Sequence, residues 1–190
     1  MGARGGNALP TLTFCIKLEA NGESTYPEAT GRYLMVSSEL PGDTRDGESS
    51  FLIAHKDADK RALWKFEDTR SGMLIQLTHS GDPTGRCKEG HYMSVHGCLY
   101  NDSRDGESSY VMVHSDPRRA SVWNYVVSPK SGLMTLQLVD AGSGTDTFDG
   151  CYLAAHTSHA RDTRDNESSY LSVHSDSSKA VCISPVMEQQ

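Results

Sequence analysis

Three histidine–aspartate pairs, His55 with Asp57, His114 with Asp116 and His174 with Asp176, recur 59 and then 60 residues apart. Each ends a repeated passage: TRDGESSFLIAHKDA from Thr44, SRDGESSYVMVHSDP from Ser103 and TRDNESSYLSVHSDS from Thr163. In an extended segment, residues i and i+2 share a face, so each pair can converge on one ligand. A carboxylate accepts from hydroxyls, and an imidazole donates or accepts. The vicinal hydroxyls of a sugar ask for such a pair. A purely local role competes with this one. Lys60, Arg119 and Lys179 follow the aspartates by three residues, and Pro117 directly follows Asp116. Asp at an N-cap with Pro next to it starts a short helical turn. Capping alone, and capping combined with ligand contact, both remain open.

The same passages carry Arg45 and Glu48, Arg104 and Glu107, and Arg164 and Glu167. These are candidates for bracing a turn or for ligand contact. Asp-Gly and Asp-Asn at these places are ordinary turn chemistry. The carboxylates are dense enough to raise calcium, but an arginine sits among them and the spacing matches no EF-hand loop. Zinc would need more ligands per unit than His-x-Asp supplies. His96 and His156 stand at matching places, where the first copy has Ser37. The paired serines before each apolar run lack a Gly-x-Ser-x-Gly elbow. The chain is therefore expected to need neither metal nor other cofactor, and not to be an enzyme.

These residues must be held by short strands. Twelve runs rich in aromatic and β-branched residues are bounded by Gly, Asp, Ser, Asn and Pro. They cover 13–18, 32–37, 50–55, 63–68, 73–78, 91–96, 109–114, 122–127, 134–139, 151–156, 169–174 and 181–186. No window sustains a helical period. Leu18, Leu77 and Leu138, with Trp64, Trp123 and Ile183, read as one repeated core. Four strands in each of three units predict an all-β chain folded as a β-trefoil of three pseudo-symmetric repeats. The predicted repeats cover about 12–70, 71–130 and 131–190 of a single domain, with 1–11 as a flexible tail. A three-bladed propeller is the alternative on strand count, below the usual number of blades.

The formal net charge of -7 offers no basic field for nucleic acid or an anionic membrane. No run approaches the ~20 apolar residues of a membrane span, and MGARGGNALP has no apolar core of a secretory signal. A cytoplasmic protein, or one released without a signal peptide, is expected. Cys15, Cys87, Cys98, Cys151 and Cys182 are then expected to be free thiols.

Gly-x-Tyr opening a strand, then a polar loop, then an apolar run ending in His-x-Asp, resembles the mytilectins from about Thr13 to Val186. Those are β-trefoil lectins of marine invertebrates that bind galactose and N-acetylgalactosamine. The resemblance implies a carbohydrate-binding protein with up to three sites. His55, Asp57, His114, Asp116, His174 and Asp176 would then contact sugar. The family's His-Pro-x-Gly-Gly is replaced here by MVSSE, SVHGC and AAHTS, in which His96 and His156 stand at a shifted position. Implied partners are glycans of glycoproteins or glycolipids, with a homodimer as the allowed oligomer. The other class of function is a protein-interaction domain, such as a protease inhibitor or a fascin-like cytoskeletal binder. Triplicated polar residues favour the lectin, because a protein interface needs one patch only.

Overall fold

The computed structural model describes residues 12–20, 30–36, 50–81, 89–95, 108–127, 132–142, 148–155 and 168–188. Twelve strands fall on the twelve predicted runs. They are β1 (Phe14–Ala20), β2 (Tyr33–Val36), β3 (Ser50–His55), β4 (Leu63–Asp68), β5 (Met73–His79) and β6 (Tyr92–Val95). The remainder are β7 (Ser108–His114), β8 (Val122–Val127), β9 (Met134–Asp140), β10 (Tyr152–Ala155), β11 (Ser168–His174) and β12 (Cys182–Met187). Short 3-10 turns at Ala58–Lys60, Pro117–Arg119 and Ser177–Lys179 follow β3, β7 and β11.

Period-2 alternation sorts the side chains. In β5, Met73, Ile75 and Leu77 are buried, while Leu74, Gln76 and Thr78 are less so. The same rule sends Ile16 and Leu18 of β1, Leu136 and Leu138 of β9, Trp64, Trp123 and Ile183 into one cluster. Burying each leucine contributes roughly 1.5–3 kcal/mol. Leu18, Leu77 and Leu138 also anchor the next strand. Their carbonyls accept from the N–H of Gly31, Gly90 and Gly150 at 2.7, 2.8 and 2.8 Å.

The predicted β-trefoil of four-stranded repeats is corrected by the strand pairing. All twelve strands belong to one antiparallel sheet. Ten of them close a circuit, running β1-β2-β3-β11-β7-β6-β5-β8-β9-β12 and back to β1. The architecture is thus a closed antiparallel barrel of ten strands with two strands outside it. The outside strands are β4, which bridges β1 and β5, and β10, which lies between β9 and β11. The physical reason is that the long ladders cross the repeat boundaries. β4 pairs over its whole length with β5, β8 with β9, and β12 with β1. No four-stranded unit keeps its hydrogen bonds to itself.

The sequence repeat survives as local recurrence. β2–β3, β6–β7 and β10–β11 pair in one register, Tyr33↔His55, Tyr92↔His114 and Tyr152↔His174. Bulges recur too, at Glu19, Thr78 and Val139, each of which lacks a partner across its ladder. A bulge bends and twists its strand, which helps a sheet to close.

Candidate functional site

Each strand that carries a histidine ends in the same turn. The imidazoles of His55, His114 and His174 are 1%, 1% and 5% exposed. In every copy Nδ1 accepts from the backbone N–H of the aspartate two residues on, at 2.9 Å. At the second ring nitrogen, Arg119 Nη1 lies 3.0 Å from His114 Nε2, and Lys179 Nζ lies 2.8 Å from His174 Nε2. The histidines therefore sit behind the turn and shape it.

The aspartates cap. Asp57, Asp116 and Asp176 have extended backbones at φ near -78° or -79°. Oδ1 of each accepts from the N–H two residues on, at 3.0 Å from Asp59, 3.0 Å from Arg118 and 2.8 Å from Ser178. This satisfies one of the donors that every helical start leaves open. Pro117 occupies the position where its missing N–H costs nothing. The local role foreseen for these residues is thus fully present, and ligand contact is left to whatever the carboxylates have over.

What they have over differs. Arg118 clasps both oxygens of Asp116, with Nε at 3.1 and 3.2 Å and Nη2 at 2.8 Å. That side-chain bond, with the Arg118 backbone N–H, pulls the Asp116 carboxyl down to about 2. The Ser178 backbone N–H, then its hydroxyl, lowers Asp176. Among the described residues no ammonium or guanidinium forms an ion pair with Asp57 or Asp176. The position of Arg118 is Asp59 in the first copy and Ser178 in the third. That substitution was readable in the sequence. Its effect on the carboxylate was not, because it depends on where the turn aims the guanidinium.

The three turns stand apart. β3, β7 and β11 pair with one another, so each histidine or its neighbour lies across from the start of the next strand. The pairs are His55↔Ser168, His174↔Ser108 and Val113↔Ser50. In the middle, Phe51, Tyr110 and Tyr170 pack edge to face with centroids 5.1–5.4 Å apart. The remaining predicted contacts, Arg45, Glu48, Arg104, Glu107, Arg164, Glu167, His96 and His156, lie outside the described residues.

No protein-family model matches the chain, and no curated protein matches it. Any functional reading must stand on the residues themselves. Two kinds of nucleophile among the described residues are buried. Ser109, from one serine pair, is fully buried. Cys15, Cys151 and Cys182 are buried thiols without disulfides, and burial pushes the Cys15 and Cys151 thiols up. A thiol held protonated is a poor nucleophile. Among the described residues, no group of three or more His, Cys, Asp or Glu side chains is placed to hold a metal ion.

Proposed function

We propose that the protein is a lectin whose sites lie at the His-x-Asp turns, with the capped aspartates accepting from sugar hydroxyls. The observation that carries this reading is one carboxylate, fixed in one geometry by one buried histidine, repeated at three separated turns. A cap needs only one carboxylate oxygen. Among the described residues, neither Asp57 nor Asp176 is clasped by a guanidinium as Asp116 is by Arg118, and a charged acceptor makes the stronger hydrogen bond to a hydroxyl. Galactose or N-acetylgalactosamine is the expected sugar on the resemblance of the repeated motif. Arg118 makes the second turn the weakest of the three, because a ligand there must displace a bidentate guanidinium.

The test is a glycan array followed by calorimetry with a monovalent galactoside or other array hit. Two sites are expected, with dissociation constants of order 0.1–1 mM. Asp57→Asn and Asp176→Asn should each remove one, and Arg118→Ala should add one. Multivalent glycans should gain ~10²–10⁴-fold by avidity if their spacing fits. An array without hits, or a stoichiometry indifferent to all three substitutions, would sink the reading.

A further inference from the structure

We propose that a cleft on the outer face of the barrel, where β1, β4 and β5 meet the approach to β6, binds a small neutral polyol or monosaccharide. This site is separate from the turns. Lys65 and Gln76 pair across β4 and β5, alternating with core-facing Trp64 and Leu77, so they face outward. With Thr13, Thr78 and Glu89 they line a cleft of about 430 Å³. That is the size of a small-molecule site.

Two hydroxyls in the lining have no partner. Thr13 is 7% exposed, and Thr13 Oγ1 and Thr78 Oγ1 are both buried without a hydrogen bond. Folded proteins rarely leave buried polar atoms so. Rotation about χ1 exchanges Oγ1 with the methyl of a threonine, which lets each hydroxyl meet a ligand in the cleft. Thr78 is also the bulged residue of β5, facing no residue on β4.

The other two seams of the barrel separate what the fold requires from what is added here. Gln76 Nε2 donates to the carbonyl of Gly90 at 2.9 Å, and Gln137 Nε2 to that of Gly150 at 3.0 Å. This bond recurs at the second seam, while the third has Lys17 in that place. The places of Thr13, Lys65 and Thr78 are taken by Gly72, Asn124 and Val139 at the second seam, and by Leu133, Ser184 and Glu19 at the third. The combination of two unpartnered hydroxyls with an ammonium occurs at the first seam alone.

The donor set selects the ligand. Each threonine hydroxyl donates and accepts, as a ligand hydroxyl does. Gln76 keeps its carbonyl oxygen as an acceptor, and Glu89 adds a carboxylate that is 74% exposed. Lys65 Nζ lies 2.7 Å from Glu67 Oε1, so its charge is already met and nothing draws an anion. A neutral molecule with several hydroxyls fits best.

The experiment is methyl NMR of the whole chain titrated with myo-inositol, methyl β-galactopyranoside and glycine to roughly 100 mM, far above a millimolar dissociation constant. The Thr13, Thr78 and Leu77 methyl signals should shift saturably with one of the two polyols and not with glycine. The double variant Thr13→Val, Thr78→Val keeps shape and removes both hydroxyls. It should bind the polyol about tenfold or more weakly at the Leu77 methyl, with a melting temperature unchanged or raised, since unpaired buried hydroxyls are costly to keep. Several outcomes overturn the proposal. One is the absence of any saturable shift at these methyls, and another is saturation by glycine alone. A third is a variant that melts lower and still binds. Shifts confined to the Ala58 and Ala180 methyls would support the turn sites and refute this one.

Discussion

Asp57 carries a backbone duty and a proposed ligand duty on one carboxylate, and two substitutions separate them. Asn accepts an N-cap bond nearly as well as Asp, whereas Ala cannot. Asp57→Ala should therefore lower stability by roughly 1 kcal/mol, while Asp57→Asn leaves the denaturant midpoint close to wild type. Both should abolish glycan binding at that turn. Asn that binds as well as Asp would reduce the residue to a cap. Acid should act on the other two turns. Asp116 is depressed to about 2 and Asp176 is also lowered, both by bonds made only in the folded turn. Below the unfolded value of 3.8 the unfolded chain takes up protons that these carboxylates refuse. Their contribution is therefore complete above about pH 4; for Asp116 it is lost as pH falls through about 2, and for Asp176 it is lost as pH falls below the ordinary carboxyl value. Arg118→Ala should flatten this loss in a melting series across that range. An unchanged series would deny Arg118 its role. At this scale the sequence was half legible. Pro117 beside Asp116 announced a cap. Nothing announced that the buried imidazole serves the aspartate's own N–H, because that bond depends on how tightly the chain turns after the strand.

The turn is held from behind by the element that follows the next strand. Gly81, after β5, has φ +74°, and a Cβ there would lie 2.3 Å from the carbonyl oxygen of Lys60. Gly142, after β9, repeats this with φ +78° and 2.4 Å to the carbonyl oxygen of Ala120. Both glycines thus press on the backbone that leaves the capped turn. Gly81→Ala should cost roughly 1–2 kcal/mol from the left-handed backbone alone, before any displacement of the turn is counted. Calorimetric melting checks this, and a neutral result would mean that the turn gives way easily. The strands themselves were plain in the sequence, since twelve aromatic and β-branched runs stand between turn residues. Their partners were not. The run LWKFED shows that β4 is a strand, but its burial pattern fits equally well beside β1 or β5. The long ladder goes to β5, its neighbour in sequence, and runs from Asp68↔Met73 to Leu63↔His79, while β1 is met at the one pair Phe14↔Trp64.

For the whole molecule, that choice decides closure. A repeat of about 60 residues says that three segments are alike, and it is silent on whether hydrogen bonds stay inside a repeat or cross into the next. They cross, and the expected β-trefoil of four-stranded units gives way to a closed barrel with β4 and β10 outside. Closure rests on β12, whose ladder with β1 runs from Phe14↔Met187 to Ala20↔Cys182. Removing 181–190 should expose the edges of β1 and β9 and uncover Ile16 and Leu18. Cooperative thermal unfolding should disappear from the dichroism trace. A shortened chain that still melts sharply would show that the circuit need not close. The same ladder determines how the protein meets mechanical force. Because β1 and β12 are antiparallel, the segments entering at Phe14 and leaving at Met187 emerge side by side. A pull that separates them loads one rung at a time, from Phe14↔Met187 inward, and the seam peels like a zipper. Handles placed at Ala20 and Met187, at opposite ends of the ladder, would load all its rungs together in shear. The barrel should therefore be weak when drawn apart by its ends and several times stronger when drawn along this seam.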